Sequence, residues 1–176
     1  FIDRMQRLVE DEGEHAAIAL RELLRHFPEE PAHQRLAANA LQAESVALRL
    51  AAARGDTKTS RGFVLQLARE WGGAHRSEAL RELITWGTQE DLREVGVHPV
   101  PADVAEDYLE RIAKSDDPEV EAILLHYLDS PFLEQVSDAL ITRGGQKALA
   151  PLKKRAQDRL SEGEELAIEL AIEAIT

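Results

Sequence analysis

Apolar residues recur along the chain at helical spacing. Ala16, Leu20, Leu23 and Phe27 fall at i, i+4, i+7 and i+11, one face of a helix. Pro28 cannot continue that helix, and Pro31 suits the first turn of the next, which carries Leu36, Ala37, Ala40 and Leu41. A third piece, 44–54, stops at Gly55. Asp56 or Thr57 is placed to cap a fourth, which runs to Trp71 and the Gly72-Gly73 pair. A fifth, about 74–86, carries Leu80, Leu83 and Ile84 and ends at Gly87. The segment 88–95 reads as a short helix, and GVHPVP (96–101) breaks the pattern. Beyond it come four more stripes: Val104/Tyr108/Ile112, Val120/Ile123/Leu124/Tyr127/Leu128, Phe132/Val136/Ala139/Leu140 and Leu149/Leu152/Ala156. A last helix carries Leu166, Ile168, Leu170, Ile172 and Ile175. Aromatics are few, β-branched residues are scarce, and Ala, Leu and Glu dominate, so the expected class is all-α.

The helices repeat. Ala19-Leu20-Arg21-Glu22-Leu23-Leu24 returns as Ala79-Leu80-Arg81-Glu82-Leu83-Ile84, and His15 and His75 share the same offset of 60. Leu50 lies midway, 30 residues from both Leu20 and Leu80. Leu36-Ala37 matches Leu67-Ala68 at an offset of 31, as Glu134, Val136, Asp138 and Ile141 match Glu165, Ala167, Glu169 and Ile172. A period near 30 made of two short helices is a solenoid signature: one helix pair cannot bury its own apolar face, so neighbours must stack.

These segments resemble HEAT-like repeats of the short kind found in phycobilin-lyase-type proteins. The stretch 138–158 resembles the family pattern most fully. Ala139-Leu140 end a first helix, Gly144-Gly145 form the turn, and Ala148-Leu149 with Pro151-Leu152 open the second helix. Residues 115–140 and Phe27-Pro28-Glu29-Glu30-Pro31 resemble the junction between repeats. The resemblance implies an α-solenoid of stacked helical hairpins over 1–176, a single domain with an irregular break at 88–101. A tetratricopeptide array would need a longer period and a Trp-Leu-Gly-Tyr set that is missing; a four-helix bundle would need fewer, longer helices.

Charge and chemistry narrow the function. The net charge is -12, from 33 acidic and 21 basic residues, which argues against nucleic acid as the partner. There is no cysteine, hence no disulfide framework and no Cys nucleophile or Cys-ligated metal. No phosphate loop, nucleophile elbow or His-Glu-x-x-His is present, and the six histidines are not paired at a ligand spacing. The reversed Glu14-His15 does not match the His-Glu pairs of HEAT-like di-iron hydroxylases. Acid pairs such as Asp116-Asp117 and Glu164-Glu165 fall at helix starts, where they face the helix dipole. No catalytic residue, metal site or cofactor is expected. No apolar run approaches the length of a membrane span, and the expected compartment is cytoplasmic.

In a HEAT-like solenoid the second helices of the hairpins line the concave face. The first helices here carry about twice as many acids as bases, whereas on the second helices the two signs nearly balance. The candidate binding residues are therefore Arg21, Arg25, Arg49, Arg76, Arg81, Trp86, His126, Lys153 and Lys154. Trp71 and Trp86 both close helices; burial is the ordinary role for each, and Trp is also an interface residue. The expected function is a non-catalytic scaffold that binds a protein or peptide, acidic or mixed in charge. The alternatives are a nucleic-acid-binding or DNA-repair HEAT-like protein and a chromophore-lyase subunit. The last helix, 162–176, has too many apolar positions for one buried face, which points to a self-association contact there or to truncation of a longer protein.

Overall fold

The computed structural model describes residues 1–143 and 145–176; Gly144, half of the expected Gly144-Gly145 turn, lies outside them. Among the described residues the protein is all-helical, with twelve α-helices, one short 3-10 helix and no strand. No helix among them is long and apolar enough to cross a membrane. The chain divides into two compact units, Phe1–Gly87 and Thr88–Thr176.

The first unit holds α1 (Ile2–Glu10), α2 (Ala16–His26), α3 (Pro31–Ala40), α4 (Val46–Ala52), α5 (Thr57–Arg69) and α6 (Arg76–Trp86). Their starts follow from local chemistry. Pro31 opens α3, the Ser45 hydroxyl accepts the Leu48 N–H at 3.3 Å to cap α4, and the Asp56 carboxylate accepts the Thr59 N–H at 3.0 Å to cap α5. Helices pair in chain order, α1 on α2, α3 on α4 and α5 on α6, while α2 also packs on α4 and α4 on α6. Leu20, Leu23, Leu48, Leu80 and Leu83 are essentially inaccessible to solvent. Small residues let the backbones approach: Ala37, Ala51, Ala52 and Ala53 are buried, and a side chain at Gly55 would press a Cβ onto that of Ala37 at 2.7 Å.

The second unit holds α7 (Gln89–Val95), α8 (Ala102–Ala113), α9 (Glu119–His126), α10 (Leu133–Arg143), the 3-10 turn Gln146–Ala148 running into α11 (Leu149–Arg155), and α12 (Glu162–Ile175). Reciprocal capping boxes start α7 (Thr88 with Asp91) and α12 (Ser161 with Glu164). Here α8 packs on α10 and α10 on α12, with α9 against both α8 and α10 and α11 against α12. The irregular stretch 96–101 is pinned by tyrosines. The Tyr127 hydroxyl accepts the Val100 N–H at 3.1 Å and lies 3.3 Å from the His98 carbonyl; wholly buried Tyr108 donates to the Leu92 carbonyl at 3.0 Å. Gly96 is required beside this contact, since any Cβ there would overlap the Tyr108 hydroxyl.

Candidate functional site

In the first unit, a charged seam joins α2, the turn after α4 and α6. Glu82 on α6 is 2% exposed; its Oε2 accepts from Arg54 Nε at 2.6 Å, and its Oε1 lies 3.7 Å from Arg21 Nε. Arg21 also reaches Glu78 at 3.8 Å, and Glu78 lies 3.3 Å from His75 Nδ1. Arg21 is thus engaged inside the unit, with only part of its guanidinium facing solvent. Arg25 is exposed on the next turn of α2, 3.9 Å from Glu22. Arg81 is exposed on α6. Arg49 is half-buried with its guanidinium 4.4 Å above the Phe63 ring, and its Nε has no hydrogen-bond partner.

Two placements differ from the sequence expectation. Arg76 does not face solvent: it is 5% exposed, and its Nε donates to the Ala68 carbonyl at 3.0 Å. Ala68 lies in the last turn of α5, whose carbonyls have no partner within the helix, so a guanidinium reaching back from the start of α6 satisfies one of them. Trp71, for which burial was the ordinary expectation, is 65% exposed and lies over Arg76 at 5.2 Å. The turn just after it runs through Gly72 at φ +74, a left-handed conformation suited to glycine. Trp86 is half-buried, with its indole N–H enclosed and without a partner.

In the second unit, His126 is exposed at the end of α9 and lines a groove of about 620 Å³ between α7 and α9. Val97 and Ile123 supply its apolar wall, and Glu90, Glu94 and Glu119 its acidic rim. Arg93 crosses it, 3.1 Å from Asp117 and 2.6 Å from Glu119. A smaller hollow of about 380 Å³ lies between α9 and α11, with Lys154, Pro151, Leu128 and Asp129 on its walls. Lys153 and Lys154 are exposed, whereas their neighbour Arg155 is tied down, donating to the Leu128 carbonyl at 3.1 Å and pairing with Asp158 at 3.0 Å.

The sequence reading missed the arginines that act inward: Arg54, Arg93, Arg143 and Arg155. Their partners lie 24 to 28 residues away in the chain, beyond the reach of local pattern. Arg54 meets Glu82 across 28 residues, Arg143 donates to the Ser115 carbonyl across 28, Arg155 to Leu128 across 27, and Tyr127 contacts His98 across 29.

Three carboxylates hold their proton less readily than usual. Asp56 and Glu164 are lowered by their cap hydrogen bonds from Thr59 and Ser161, and Glu110 by its hydrogen bond from Lys114. Burial pushes the Tyr108 phenol far up. No group of three or more His, Asp or Glu side chains that could hold a metal ion occurs among the described residues. No protein-family model matches the chain, and no curated protein matches it.

Proposed function

We propose that the chain is a HEAT-like α-solenoid module that binds a partner protein through the surface of its second helices and performs no catalysis of its own. One observation carries this reading: within each unit long side chains join separate helices at separations of 24 to 29 residues, Arg54 with Glu82 in the first unit and the contacts of Arg93, Tyr127, Arg143 and Arg155 in the second. That regularity is what a stack of two-helix repeats requires, because each pair covers its neighbour's apolar face. Successive second helices α2, α4 and α6 then present a continuous face in the first unit, and α9 and α11 supply its counterpart in the second.

The chemistry of these faces favours an acidic or mixed peptide. Arg21 and Arg54 are partly withdrawn from solvent beside Glu82, and the cations that face solvent most are Arg25 and Arg81 in the first unit and Lys153 and Lys154 in the second. Complementary charge of this kind steers encounter and rejects wrong partners. The test is fluorescence polarisation with a labelled 20-residue peptide alternating Glu-Leu and Asp-Ala blocks, against a Lys-substituted control. The wild type should bind the acidic peptide and not the control. R25E/R81E or K153E/K154E should weaken binding about tenfold with helix content unchanged. No acidic-peptide binding would count against the reading. Duplex DNA binding that falls steeply with salt would move the assignment to the nucleic-acid alternative.

A further inference from the structure

α12 presents an unpartnered side of distinctive composition. It spans 14 residues, Glu162–Ile175, and buries Ile168, Ala171 and Ile175, the face available to its neighbours α10 and α11. On the opposite side Leu166 is 58% and Leu170 49% exposed, one helical turn apart. Glu162, Glu165, Glu169 and Glu173 are exposed beside them, and the segment 162–176 contains no Lys or Arg. The helix dipole accounts for the first-turn acids Glu162, Glu164 and Glu165. It does not account for mid-helix Glu169, nor for Glu173 in the last turn, where a carboxylate opposes the dipole and the helix has no basic residue to offset it. Leucines exposed at i and i+4 with a row of carboxylates along one flank are the complement of an amphipathic helix whose apolar stripe has Lys and Arg along one border.

A second copy of α12 fits poorly. Pairing two such helices through this side would set the carboxylates Glu162, Glu165, Glu169 and Glu173 of each against a surface of the same sign, with no basic residue on either helix to offset them. The face is also small: about 21 Å long at 1.5 Å per residue and about 10 Å wide. That is far below the roughly 800 Å² per partner of a stable interface. A single docked helix, reversibly held, suits both its size and its sign.

We propose that the exposed side of α12 docks a basic amphipathic helix of a partner protein, with Leu166 and Leu170 seating its apolar stripe and Glu162, Glu165, Glu169 and Glu173 facing its cations. The surface is distinct from the second-helix faces, so R25E/R81E leaves this binding unchanged.

The probe is a labelled 18-residue helical peptide with leucine at i, i+4, i+7 and i+11 and lysine at the flanking positions. An isomer of the same composition with scattered leucines controls for charge alone. The full chain should bind the amphipathic peptide at least tenfold more tightly than the isomer. L166S/L170S should weaken that binding about tenfold with the circular dichroism and melting temperature unchanged, since both leucines are on the outside. E162Q/E165Q/E169Q/E173Q should weaken it too and flatten its salt dependence. Equal binding of the two peptides, or an unaffected L166S/L170S, would overturn the proposal. So would sedimentation showing a wild-type dimer that L166S/L170S converts to monomer, which would make the occupant a second copy.

Discussion

The two units solve one problem with different bonds. Both must hold separate helices together. The first unit does so with opposite charges: Arg54 and Arg21 converge on the buried carboxylate of Glu82. The second unit has ion pairs too, from Arg93 to Asp117 and Glu119, but these are partly exposed, and its buried ties are donors aimed at backbone. The Tyr108, Tyr127, Arg143 and Arg155 side chains reach the carbonyls of Leu92, His98, Ser115 and Leu128. A buried ion pair is strong only while both partners stay, because either alone is a stranded charge. A bond to a carbonyl leaves a neutral group behind when cut, and the loss is smaller. The first unit should therefore be the more fragile to a single substitution in its ties.

The largest effect should come from R54M. It leaves Glu82 buried with only the longer contact to Arg21, at a cost of about 3–5 kcal/mol. Hydrogen exchange resolved by segment should show faster exchange across 1–87 and none of that loss across 88–176. R54M/E82L, which replaces both ends of the 2.6 Å pair by apolar groups, should recover most of the stability.

In the second unit Y127F removes the acceptor of the buried Val100 N–H, costing about 1–3 kcal/mol. The Val100 amide should then exchange faster, with the first unit unaffected. G96A forces the Tyr108 hydroxyl aside and should cost a similar amount, about 1–3 kcal/mol, by overpacking. A thermal melt of G96A that matched wild type would deny that close contact.

The smallest effect should be common to both units, which sharpens the contrast in their ties. The cap carboxylates Asp56 and Glu164 have folded pKa values below their unfolded ones. Such groups stabilise the fold above the unfolded value and lose that contribution as pH falls through the folded one. Acidification below about pH 4 should loosen the first turns of α5 and α12, read from amide exchange or chemical shift. D56N and E164Q should each flatten the pH response of their own helix alone.

The helices were legible because their signals are local. Stripes at 3.6-residue spacing, Pro31 at a start, Asp56 at a cap and Gly87 at a stop each act within one or two turns. α7 too lies within the short helix expected at 88–95. The direction in which an arginine points was not legible. Arg76 and Arg81 look alike in sequence, yet one is buried against the end of α5, where it meets the Ala68 carbonyl, and the other is exposed. Glu22 and Glu82 occupy matching positions of the repeated hexapeptide, but Glu82 faces Arg54 and is buried while Glu22 pairs near the surface with Arg25 and His26. Those differences belong to what lies on the neighbouring helix, and local pattern does not contain them. For α12, the surplus of apolar positions was visible, and the coordinates added which two leucines stay outside.

The most direct test of the central claim is chemical-shift mapping on the isotope-labelled full chain, titrated with the acidic peptide. The account predicts shifts concentrated on the second helices, strongest near Arg25 and Arg81 on α2 and α6 and near Lys153 and Lys154 on α11. Shifts spread over α3, α5, α8 and α10, or none at saturating peptide, would contradict it.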